Sequence, residues 1–194
     1  AGFMERAQLR EDGQTAATDA FITRYNHNAG GARNPTMENA HSQMGVYAGL
    51  DAMGVETPRH AFDTEQKEVI VEGVSRPGYE ATTAESHELP QDHADKIDPE
   101  QFKDVLAANM IMGNVDCNAE NLMGGEDGTV VTFDYDYSET FGQLHGDAAE
   151  RAESWIDNAV SEINSVRSDE LDVDAHDVAD RAEELATQLD ESGM

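Results

Sequence analysis

Acidic residues outnumber basic ones 41 to 12, and they run through every segment instead of collecting in a tail. A chain with a net charge of −29 has to fold against its own repulsion. That repulsion is screened at molar salt, where the Debye length falls to about 3 Å. The acids are interleaved with periodic apolar residues, and 38% of the 194 residues are hydrophobic, enough for one well-buried core or a small two-lobed domain. The pattern therefore predicts a folded acidic surface, suited to a high-salt cytoplasm, and not a disordered polyanion. The only lysines are Lys67, Lys96 and Lys103. No Lys/Arg cluster is present to displace phosphate counterions, which argues against nucleic-acid binding by a basic surface. No apolar run approaches the roughly 20 residues that span a bilayer, and the first ten residues lack the continuous apolar core of a signal peptide. The expected location is cytoplasmic. With Cys117 the single cysteine, neither an intrachain disulfide nor a cysteine-based zinc site can form, and its expected role is that of a small buried hydrophobe.

Local patterning sketches an α+β chain. Thr18 to Tyr25 alternates, with Phe21, Thr23 and Tyr25 on one face, and reads as a strand. Asp12-Gly13 before it suits a hairpin turn, and the first 17 residues carry no other clear signal. After a Gly/Asn-rich loop, Met37, Ala40, Met44 and Tyr47 recur at helical spacing until Gly54. Glu68 to Val74 reads as a second strand, with His60 to Phe62 as its hairpin partner. Ser75 to Ile97 is polar and reads as a surface linker. Asp98-Pro99 is a helix start, Phe102, Val105, Leu106, Asn109 and Met110 supply that helix with a buried face, and Gly113 stops it. A hairpin follows, with Leu122-Met123, a turn at Gly124 to Gly128 and a strand from Thr129 to Asp136. Trp155, Ala159, Ile163 and Val166 form one helical stripe, and Val178, Ala182, Leu185 and Leu189 another.

Chemistry concentrates between Gly113 and Asp136. The run Gly113-Asn114-Val115-Asp116-Cys117-Asn118-Ala119-Glu120-Asn121 precedes the hairpin, and Asp134-Tyr135-Asp136 closes it. Asn121 and Asp134 are thirteen residues apart, but a tight hairpin folds its arms together, so their oxygens can converge on one hard cation. Magnesium fits best, because it takes few protein oxygens and completes its shell with water and phosphate. Asp116 stands one loop away, placed to accept a proton from an attacking hydroxyl.

These residues resemble the G-N-x-D-x-H-x-x-N loop of HipA-type serine/threonine kinases and the related loop of phosphatidylinositol 3- and 4-kinases, with Asp134-Tyr135-Asp136 where those families carry a D-F-G-like metal motif. The resemblance implies a protein-kinase-like two-lobed fold: a reduced N-lobe of strands plus one helix over residues 1–74, and a helical C-lobe over 75–194 that holds the loop, the metal hairpin and the final helices. It implies ATP and Mg2+ as cofactors, Asp116 as catalytic base, and Asn121 and Asp134 as metal ligands. It also implies Arg24 as the basic strand residue facing the nucleotide, Glu38 as its helix partner, and Glu72 and Val74 as hinge contacts. The partner would be a protein or small-molecule hydroxyl. Three positions depart from the pattern: Arg24 stands where lysine is usual, Asn118 replaces the loop histidine, and no Gly-x-Gly turn precedes Arg24. They frame the alternative, a catalytically impaired kinase-like module that serves as a binding or structural part of a larger assembly.

Overall fold

The β-branched and aromatic residues at Thr18–Arg24 and Glu68–Glu72 favour strands, and both segments are strands of one sheet. The computed structural model describes residues 4–9, 18–24, 37–72, 78–82, 88–114, 119–133, 135 and 146–192, with backbone alone at 4–9, 18–24, 37–39, 42, 146–152 and 192. Strands β1 (Met4–Leu9), β2 (Thr18–Arg24), β3 (His60–Asp63) and β4 (Glu68–Glu72) form an antiparallel sheet in the order β1-β2-β4-β3. Helix α1 (Met37–Ala52) lies between β2 and β3 in the chain. Val69 of β4 packs on Ala40 of α1, with Met44, Phe62 and Val71 beside them, so the Val69/Val71 row is the one α1 covers. Position 24 pairs with Glu68, which puts it in the opposite row with Ile70 and Glu72.

The second half carries a smaller antiparallel sheet, β5 (Tyr79–Ala81), β6 (Leu122–Gly125) and β7 (Val130–Thr132), in that order. Around it lie α2 (Gln91–Ala94), α3 (Pro99–Ile111), α4 (Gly146–Asn164) and α5 (Ala175–Ser192). The chain is thus α+β. Helix α3 begins where its sequence says it should: the Asp98 carboxylate accepts from the N–H groups of Glu100 and Gln101, both at 3.0 Å, and Pro99 needs no partner in the first turn. Its residues Phe102 and Val105 to Asn109 are all buried. One apolar cluster runs from Val46, Tyr47 and Leu50 of α1 through α3 to Trp155, Ile163, Val178 and Leu185 of the last two helices. Both expected C-terminal stripes face this core, with Val166 and Leu189 half-buried at their ends.

Three expectations change. Strand β1 falls in the stretch without a clear sequence signal, because Met-Glu-Arg-Ala-Gln-Leu alternates without an apolar row; it forms by pairing along the whole of β2. The described residues of the segment from Ser75 to Ile97, 78–82 and 88–97, are no surface linker. They contain β5 and α2, and they include buried Ala81, Leu89, Ala94 and Ile97. Arg167, just past α4, fixes this segment by donating to the carbonyls of Ala94 and Ile97. Strand β7 is shorter than expected, ending at Thr132, and Tyr135 is buried outside it.

Two outcomes test this packing. Gly128 has φ of +90°, and a Cβ there would overlap the Lys96 carbonyl, so Gly128→Ala should cost about 3 kcal/mol and lower the melting temperature by roughly 6–12 °C. Asp95 accepts from both the backbone N–H (2.7 Å) and the hydroxyl (2.8 Å) of Ser168, which hold its pKa below the ordinary 3.8. A depressed carboxylate contributes stability that is complete above its unfolded value and fades as pH falls through the folded one. An NMR titration should therefore give Asp95 a midpoint below 3.8, and Ser168→Ala should move it back towards that value.

Candidate functional site

The end of α3 decides where the chemistry-bearing loop begins. Gly113 adopts φ of +65°, the left-handed conformation that glycine takes without penalty. The Gly113 N–H then donates to the Met110 carbonyl (3.1 Å) and the Asn114 N–H to the Asn109 carbonyl (3.0 Å), the paired bonds of a Schellman ending. The chain leaves the helix at Asn114, two residues before Asp116. Asp116 itself lies outside the described residues, as do Cys117 and Asn118.

The description resumes at the single 3-10 turn Ala119–Asn121, which feeds directly into β6. Thr82, buried at the end of β5, donates its hydroxyl towards the Ala119 carbonyl and reaches the Leu122 carbonyl at 3.1 Å, so it pins the turn on both sides of Asn121. In the hairpin Leu122 lies opposite Thr132, and the Asn121 carbonyl accepts from the Phe133 N–H at 3.2 Å. Half-buried Asn121 is thereby set across from the residue that precedes Asp134. Asp134 lies outside the described residues.

A buried polar group joins these parts. Asn109, fully buried in the last turn of α3, donates through Nδ2 to the Val105 carbonyl (2.8 Å) and to Thr132 Oγ1 (3.2 Å). Its Oδ1 accepts from Asn114 Nδ2 at 2.9 Å. The hydroxyls of Thr132 and Tyr135 are 2.6 Å apart, and Tyr135 also donates to the Thr132 carbonyl at 2.6 Å. Tyr135 meets Tyr47 of α1 edge-on (centroids 4.8 Å), and Tyr47 stacks on His60 (4.1 Å). Asn109 and Tyr135 were legible only as a buried helix residue and as a strand residue.

The remaining predicted positions are separated along the first sheet. Glu72 ends β4 with its carboxylate buried and held by Arg59: Nη2 donates to Oε1 at 3.1 Å, and the Arg59 N–H to Oε2 at 3.3 Å. Arg24 ends β2 opposite Glu68, four pairs along from the Ala20–Glu72 pair, or roughly 13 Å of strand. Glu38 lies in the first turn of α1, and Val74 falls outside the described residues. Among the described residues no three His, Cys, Asp or Glu side chains gather as a metal site, and no helix is long and apolar enough to cross a membrane. No protein-family model matches the chain, and a search of curated proteins gives no match.

If the left-handed turn at Gly113 sets the start of the loop, Gly113→Ala should cost about 1 kcal/mol. Urea unfolding in molar potassium chloride reads this as a lower midpoint with an unchanged slope.

Proposed function

We propose that the chain is an ATP- and magnesium-dependent phosphotransferase, similar to HipA-type and phosphatidylinositol kinases, that acts on a protein or small-molecule hydroxyl. The observation that carries this reading is the hairpin register. It sets Asn121 across from Phe133, next in sequence to Asp134, and the helix ending at Gly113 and Asn114 lies two residues before Asp116 in sequence. The order of parts lends support: a four-stranded antiparallel sheet with one inserted helix, then, after β5 and the short α2, the helix α3 and the β6–β7 hairpin. That is the order expected of a reduced N-lobe, 1–74, followed by a C-lobe, 75–194.

The donor set fits magnesium by chemical type, an amide oxygen from Asn121 and a carboxylate from Asp134, both hard ligands. The ion, when bound with ATP, neutralises charge developing on the transferring phosphoryl group. The acceptor oxygen attacks the γ-phosphorus, the bond to the bridging oxygen breaks, ADP leaves, and the acceptor proton passes to the Asp116 carboxylate. Thr82 and the Asn121–Phe133 bond hold the metal-side backbone so that little reorganisation accompanies the transfer.

A second reading, a catalytically impaired binding module, is favoured by the first sheet. In kinases the strand lysine pairs with a glutamate on the neighbouring helix. Here the strand residue is Arg24, and its backbone position falls in the sheet row turned away from α1. Arginine also offers a planar fork where lysine offers a point charge.

A thermal-shift titration with ATP and Mg2+ in molar potassium chloride tests binding. At a hundredfold excess over Kd, stabilisation of about 2.7 kcal/mol is expected, and no shift under any metal condition would sink the proposal. Phosphate transfer should then be lost in Asp116→Ala; equal activity in both proteins would remove Asp116 as the base, and binding without transfer in the wild type would select the second reading.

A further inference from the structure

We infer that Asn109 is a positioning residue, whose side-chain amide holds the start of the loop and the metal-side hairpin in one fixed relation. The functional half of this inference rests on the phosphotransferase reading; the structural half does not. Asn109 sits among Phe102, Val105, Leu106 and Ala108, in a position that packing alone would give to leucine. Burying an amide is unfavourable unless its groups are bonded, and here they bond to three different parts of the chain. These are its own helix, Asn114 at the loop start, and Thr132 in β7.

The direction of every bond in this group follows from its partners. The Val105 carbonyl can only accept, so the Asn109 NH2 must face it, and the Asn109 oxygen must face Asn114. Thr132 Oγ1 accepts from Asn109, which leaves its proton for the Tyr135 hydroxyl, and that hydroxyl donates onward to the Thr132 carbonyl. Such a chain has one consistent proton arrangement, and each bond polarises the next. A leucine at this position would fill the space and leave the loop and hairpin free to slide against each other.

The tied residues are also the immediate neighbours of the predicted chemistry. Asn114 precedes Asp116 by two residues, Thr132 lies across the hairpin from the residue after Asn121, and Tyr135 follows Asp134. One amide thus reaches the supports of all three groups. Asn114 bears a sign of the same arrangement. It is 1% exposed, it gives its NH2 to Asn109, and its own Oδ1 is buried with no partner among the described residues. This orientation leaves the Asn114 oxygen without a donor among the described residues and is dictated by Asn109.

Hydrogen exchange by NMR, together with Mn2+ titration in the presence of ATP, tests the inference in molar potassium chloride. The double variant Asn109→Leu/Asn114→Leu removes both amides at once, which avoids leaving one stranded and is close to neutral for overall stability. Exchange of the Phe133 N–H and of the backbone N–H at position 114, each corrected for its intrinsic rate, should rise at least tenfold, while the Val178 N–H in α5 keeps its wild-type rate. Thr132→Val, which cuts only the hairpin limb, should accelerate Phe133 and leave Asn114 unchanged. An unchanged Phe133 rate in the double variant, or an equal rise at Val178, overturns the inference, since packing or general destabilisation then accounts for everything. In the binding arm, the double variant should hold Mn2+ with ATP at least tenfold more weakly than the wild type. Equal affinity overturns the positioning role; a wild type that binds no Mn2+ with ATP instead removes the phosphotransferase reading, and the exchange rates still decide the clamp.

Discussion

Helix α3 is enclosed on nearly every side, and the remainder of the fold is arranged by what encloses it. Its residues Val105 to Asn109 are all buried, so no face of that turn is left to water. Helix α1 crosses it closely enough that a Cβ on Gly49 would strike the side chain of Met112. Helix α5 lies along it, with Arg181 bonded to Asp104 at 2.5 Å. Strand β7 meets its last turn through Thr132. A helix turn buried this completely cannot shift without disturbing α1, α5 and β7, and so the C-terminus of α3 is a fixed point from which the chain departs.

The acid excess shapes the same architecture from outside. Hydrophobic burial stabilises the fold, and the surface carboxylates oppose it unless salt screens them. Four of the described cations sit at joints: Arg59 on buried Glu72, Lys96 on the Glu126 carbonyl at 2.8 Å, Arg167 on Ala94 and Ile97, Arg181 between Asp104 and Glu184. Replacing any of these would remove an anchor as well as a charge.

What the sequence revealed follows from how local the signals are. The start of α3 and its stop were legible because Asp98-Pro99 and Gly113 act within a few residues, and the hairpin because Leu122 and Thr132 flank a glycine-rich turn. Strand β1 was not, since its residues alternate without an apolar row and its place depends on β2. The segment from Ser75 to Ile97 misled for a related reason: Ala81, Leu89, Ala94 and Ile97 follow neither a helical nor a strand period, and they are buried by neighbours distant in sequence. At the candidate site, Asn121 could be placed by hairpin logic alone. Asn109 could not, because an asparagine on an apolar stripe says nothing of which three segments its amide will join.

The grip of Arg167 on two backbone carbonyls carries a different implication. Ion pairs between surface side chains loosen in brine, where mobile chloride and potassium offer each partner a substitute. A guanidinium set against the carbonyls of Ala94 and Ile97, partly shielded from solvent, has neutral partners whose hold does not depend on a second charge. The seam between the α2 segment and the end of α4 is therefore fastened by a joint less sensitive to salinity than a surface ion pair, so that as brine is diluted the crowded carboxylates elsewhere should yield before this seam does.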